Sequence, residues 1–78
     1  MEETFGKRLK NIRIEDKMTL KELSIRSGLS IMTLSNWEND KHKPRFLSVM
    51  KLRYPLQCDI KVVGKEIYLK RKENKYGN

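Results

Sequence analysis

The sequence is poor in the residues that most catalytic and cofactor chemistry requires. It holds one cysteine, Cys58, and one histidine, His42, in 78 residues. A single thiol excludes an intrachain disulfide, which fits a reducing compartment, and Cys58 reads as a small buried hydrophobe rather than a nucleophile. His42 has no cysteine or carboxylate cluster at ligand spacing, so no metal site is expected. No apolar run approaches the ~20 residues of a membrane helix, and no membrane partner is expected. The start, Met1-Glu2-Glu3, is acidic and carries no apolar stretch. No secretory signal is therefore expected, and the expected location is the cytoplasm. Internal repeats, low-complexity tracts, nucleotide-binding loops, Ser/His/Asp sets and paired carboxylates do not stand out. No catalytic residue, cofactor or small-molecule substrate is expected, and the chain does not read as an enzyme.

What the sequence has in excess is positive charge. Its formal net charge is +8 and its pI about 9.8, a balance that attracts polyanions. From Lys61 to Asn78, six cations stand against two anions. Hydrophobic residues make up 37% and charged residues 36%, which suits one small domain with a thin core and a wet surface.

Helical spacing runs from about Thr4 to Leu56. Phe5, Leu9 and Ile12 make one apolar face of a first helix, Phe5 to Lys17, with Thr4 as its N-cap. Thr19-Leu20-Lys21-Glu22 matches a capping box, with Met18 and Leu23 as its staple. Leu20 and Leu23 face inward, and Gly28 ends this second helix. A third begins at Ser30, stapled by Leu29 and Leu34, buries Leu34 and Trp37, and ends near Asn39-Asp40. Lys41-His42-Lys43-Pro44 is a basic loop. A fourth helix is expected from Arg45 to Tyr54, stopped by Pro55. Beyond Leu56 the pattern turns β-rich: Asp59–Val63 and Glu66–Leu69 flank Gly64-Lys65 as a two-residue hairpin turn. The expected organisation is a helical domain over residues 1–56, a hairpin over 57–70 and a frayed basic tail over 71–78.

Two short capped helices around a turn with Gly28 have the spacing of a helix-turn-helix, whose second helix enters the major groove. Residues Phe5 to Leu56 resemble the Cro/repressor (Xre-type) helix-turn-helix family. Leu9, Arg13, Met18-Thr19, Glu22-Leu23, Ser27-Gly28-Leu29-Ser30, Leu34-Ser35, Trp37-Glu38-Asn39 and Pro44 carry the resemblance, in the family's order and spacing. Pro44-Arg45-Phe46-Leu47 is similar to the matching stretch of lambdoid phage repressors. The resemblance implies a mainly α fold: a four-helix lambda-repressor-like helix-turn-helix domain, here with a C-terminal β-strand or hairpin. It also implies an internal ion pair between Arg13 and Glu38. Two positions depart from the family. Leu20 stands where members often carry a phosphate-clamping Gln, and Asp40 replaces a Gly. The strand after Leu56 is similar to that of HipB-type antitoxins, which pair it across a dimer, and to the terminal strand of Cro proteins.

The groove-facing side of the third helix is expected to present Ile31, Met32, Ser35 and Asn36 to bases. Asn36 can bond adenine bidentately, and Ile31 and Met32 can pack on thymine methyls. The competing reading has those two filling a corner against another subunit. Thr19, Ser30, Thr33, Asn39, Lys41, Lys43 and Arg45 are expected at phosphates, with Arg45 also able to enter a narrowed minor groove. Ile60, Val62, Ile67 and Leu69 are expected at a homodimer interface. The leading function is a repressor acting as a dimer on a palindromic operator in double-stranded DNA. The alternatives are an antitoxin that regulates its own operon and binds a protein toxin, and a protein-interaction module whose tail binds RNA or membrane.

Overall fold

The computed structural model describes residues 3–72. Helix α1 spans Phe5–Glu15, α2 Leu20–Ser27 and α3 Ile31–Glu38. A bent arm follows: α4 at Phe46–Val49, a 3-10 turn at Met50–Leu52, and α5 at Arg53–Leu56. Strands β1, Cys58–Val63, and β2, Glu66–Arg71, close the described chain as one antiparallel hairpin.

The caps explain most of these boundaries. Thr4 Oγ1 accepts from Lys7 N at the start of α1. At α2, Thr19 Oγ1 accepts from Glu22 N, and Glu22 Oε1 accepts from Thr19 N. The Thr19 amide and then its hydroxyl pull the Glu22 carboxyl below the usual carboxylate range. Gly28, at φ 80°, ends α2 in the left-handed region, and Ser30 caps α3.

Three expected element boundaries are corrected. Helix α1 stops at Glu15, and Lys17 adopts φ 56° instead of extending it. Arg13 explains the early stop: its Nη1 donates to Met18 O at 2.8 Å and folds the connection to α2 back on the helix. Pro55 does not stop the fourth helix at Tyr54. The 3-10 turn restarts the helix at Arg53, so Pro55 falls in a first turn, where a missing N–H breaks no intrahelical bond. The arm ends at Gln57, with φ 49°. Arg71 does not belong to a frayed tail but to β2, where it bonds Asp16 at 2.9 Å and reaches Glu15 at 3.5 Å. The rest of the expected tail, residues 73–78, lies outside the described residues.

One core joins all these elements. Leu9, Ile12, Met18, Leu23, Leu29, Leu34, Trp37, Val49, Leu52 and Leu56 pack with Cys58 and Leu69 of the hairpin. Phe5 meets Trp37 edge to face, with ring centroids 5.9 Å apart. Burial raises the Cys58 pKa, which keeps the thiol protonated at neutral pH. The inner face of the hairpin tapers outward, from buried Cys58 and Leu69 to Val62, which is 50% exposed. Leu69, expected at a dimer interface, is instead a core residue of its own chain. The same period-2 face that makes a strand sticky here closes the bottom of the helical core. Ile60 and Ile67 pack partly against that core as well.

Gly6 sets how closely α1 approaches α3. It is buried, and a Cβ there would lie 2.7 Å from Glu38 O and 2.8 Å from Asp40 Oδ1, with Trp37 O closer still. Asp40, at φ 55°, turns its carboxylate back to accept from Gly6 N at 3.0 Å and from the Thr4 hydroxyl. This anion therefore serves the positive end of α1, where a negative charge is favourable.

Candidate nucleic-acid interface

The outer face of α3 is built by what its inner face must do. Leu34, Trp37 and Glu38 are buried, so the helical period turns Ile31, Met32, Ser35 and Asn36 to the side. Ile31 and Met32 are exposed at 46% and 73%, while Ser35 and Asn36 are half-buried. Among the described residues, no hydrogen bond engages the Asn36 amide, and its donors and acceptor remain open to a ligand.

Arg13 and Glu38 hold this helix in place from behind. Arg13 Nε and Nη2 donate to the two Glu38 oxygens at 2.7 and 3.0 Å, a bidentate pair with both side chains largely buried. The Glu38 hydrogen bonds and charge raise the Arg13 pKa further, against the opposing effect of burial. The pair ties the end of α3 to α1.

Beside Asn36 lies a cleft of about 390 Å³ lined by Thr33, Trp37, His42, Lys43, Arg45 and Ser48. The structure thus brings together Thr33, Asn36, Lys43 and Arg45, all singled out from the sequence. His42 and Ser48 join them without any sequence signal. Their place depends on how the loop after α3 doubles back, which no local pattern encodes. Lys43 and Arg45 line it and are exposed, and Lys41, also exposed, lies in the same loop outside the cleft lining. Thr19 and Ser30 stand exposed at the N-termini of α2 and α3, and Ser24 Oγ closes the turn between these helices by donating to Leu29 O. Ser30 Oγ donates to Thr33 Oγ1 at 2.9 Å, which leaves the Thr33 hydroxyl proton to be offered outward. Asn39 Nδ2 donates to Ser35 O at 2.9 Å, so its amide is partly used within the helix end. Ile60, Val62, Ile67 and Leu69 are not part of this surface.

Among the described residues, no group of three or more His, Cys, Asp or Glu can hold a metal ion, and no helix is long and apolar enough to cross a membrane. This face offers positive charge beside an exposed uncharged row.

No curated protein matches the sequence. Among solved structures, the chain is similar to the crystal structure of the master regulator for biofilm formation SinR in complex with DNA. The two share 27% identity and a TM-score of 0.66, over 69% of this chain and 87% of that one. A family model described as a helix-turn-helix domain matches residues 6–62. With its capped α2–α3 pair, Arg13–Glu38 clasp and exposed α3 face, the chain belongs to the helix-turn-helix domain family, of the Cro/repressor (Xre) type.

Proposed function

We propose that the chain is a sequence-specific DNA-binding transcription regulator that represses by occupying a roughly palindromic site as a homodimer. One observation carries the reading: α3 projects Ile31, Met32, Ser35 and Asn36 as an uncharged row from a chain of net charge +8. A surface built only for phosphates would place cations there. The presence of DNA in the complex of the similar SinR supports the same reading.

In this reading α3 lies in the major groove, Asn36 bonds an adenine edge, and Ile31 and Met32 rest on thymine methyls, which favours an A·T-rich half-site. Thr19 and Thr33 donate their hydroxyls and Asn39 its second amide proton to phosphates, with Ser30 orienting the Thr33 hydroxyl; Lys41 and Lys43 add charge, and Arg45 reaches the minor groove. Selection of bound duplexes from a random pool tests specificity and palindromy together. Asn36→Ala should then weaken binding by ~1–3 kcal/mol through one base pair and relax the preference there. An Asn36→Ala variant that keeps the full preference of the parent sinks this orientation of α3. A protein partner that co-purifies in place of any duplex preference favours the antitoxin reading.

For the dimer, β1 offers the open edge. Leu69 O accepts from Arg8 Nε at 3.2 Å and so points away from β1. Antiparallel pairs alternate, so the backbone groups of Ile60 and Val62, opposite Leu69 and Ile67, point away from β2. An unpaired edge of this kind is a template for a second copy. Val62 is exposed, so Val62→Lys spares the core while blocking the edge. Sedimentation should show it shifted from dimer to monomer, and an unchanged dimer places the interface elsewhere. Truncation after Leu56 is no clean test, because it removes Cys58 and Leu69 from the core.

A further inference from the structure

The hairpin does more in this fold than cover the core. Its turn, Gly64-Lys65, is a tight two-residue connection with φ 60° at Gly64. It is held by a full ladder from Val63↔Glu66 back to Cys58↔Arg71. The base of that ladder is fixed to α1 by Arg8 and Arg71 and to the core by Cys58 and Leu69. Lys65 is thus carried on a rigid tip rather than a loose loop.

That tip reaches back towards the α3 end of the molecule. Lys65 lines one cleft of about 400 Å³ together with His42, Lys43 and Pro44, the loop that leaves the end of α3. Lys43 also lines the cleft beside Asn36. The cation on the hairpin therefore faces the same cleft as the basic loop that flanks the candidate base-reading row, although Lys43 and Lys65 stand 22 positions apart. Of the three carboxylates in the shared cleft, Asp40 is taken by Gly6 N and the Thr4 hydroxyl, and Glu3 by Asn11 Nδ2. Glu66 is exposed beside the turn. Lys65 itself is exposed and takes part in no ion pair among the described residues.

We propose that the hairpin turn is a second contact to the DNA backbone, in which Lys65 pairs with a phosphate next to the one bound by Lys43. The proposal rests on the DNA-binding reading above and extends the footprint beyond the helix-turn-helix. The contact uses the tip of the hairpin and leaves the outer edge of β1 free for a second subunit. It carries no base information, because phosphate contacts set position and affinity rather than sequence.

The test is the salt dependence of binding to a duplex recovered from the random pool, with flanks extending beyond the half-sites. Removing one cation from a phosphate should lower the slope of log affinity against log salt by about 1. Lys65→Ala is expected to lower it by that amount, Lys65→Arg to restore it, and Lys43→Ala with Lys65→Ala to lower it by about 2. Base preference and melting temperature should stay at the parent values, since Lys65 is exposed. If Lys43→Ala lowers the slope and Lys65→Ala does not, the hairpin contact is overturned and the DNA-binding reading stands. If the parent chain itself prefers no duplex over random DNA and shows no salt-dependent binding, both fall together.

Discussion

Gly6→Ala should melt roughly 4–24 °C below the parent chain, although the exchange is one that helices usually welcome. In the middle of an ordinary helix, alanine in place of glycine gains ~0.5–1 kcal/mol. Here the sign reverses because of what stands opposite. The added methyl would meet the carbonyl oxygens of Trp37 and Glu38 and the carboxylate of Asp40. Two of these atoms are main chain at the end of α3, and the third is held by the N–H of Gly6 itself. None is a flexible side-chain end that can swing aside. Overpacking of this kind costs ~1–3 kcal/mol, occasionally more, and a domain of this size loses ~4–8 °C per kcal/mol. Thermal unfolding followed by circular dichroism is the measurement. A melting temperature equal to or above that of the parent shows that α1 does not dock on α3 in this way.

The second large effect is expected at the Arg13–Glu38 pair. Glu38→Ala leaves a guanidinium with 12% side-chain exposure facing an empty site, and Arg13→Ala leaves a carboxylate with 5%. Breaking a buried pair from one side costs ~3–5 kcal/mol. A domain this small holds on the order of 5–10 kcal/mol in all, so either variant should be partly unfolded at moderate temperature. The double variant Arg13→Met with Glu38→Leu should recover most of the loss, because no buried charge is then left alone. It cannot recover everything, since Met18 O also loses its Arg13 donor. Denaturant titrations of Arg13→Met, of Glu38→Leu and of the double that combines them close a double-mutant cycle. A coupling energy near zero means that the two groups act independently, and the clasp then has no role in seating α3.

These two clusters differ in how visible they are in the sequence. Arg13 and Glu38 stand 25 positions apart, and only their match to a family pattern pairs them. Asp40 reads as a misplaced anion at a surface meant for phosphates. It becomes intelligible only when the turn at φ 55° brings it to the start of α1. Gly6 gives no signal at all, since a glycine inside a helix looks like a weak point until its neighbour is known.

Short-range physics was sufficient for the framework. Thr19 with Glu22, Ser30 before α3, and Gly28 after α2 mark their helices because caps are satisfied within a few residues. The 3.6-residue period placed Leu34 and Trp37 inward and Ile31, Met32, Ser35 and Asn36 outward, and the β-rich run beyond Leu56 announced a hairpin. What required the tertiary structure was every contact between parts distant along the chain. Leu69 turned from an interface residue into core, Arg71 from tail into a strand anchored on α1, and Lys65 from a turn residue into part of a cleft that Lys43 also lines. A local pattern says which face of an element is apolar or charged, but not which surface arrives to meet it. That is decided by packing all the elements at once around a single core.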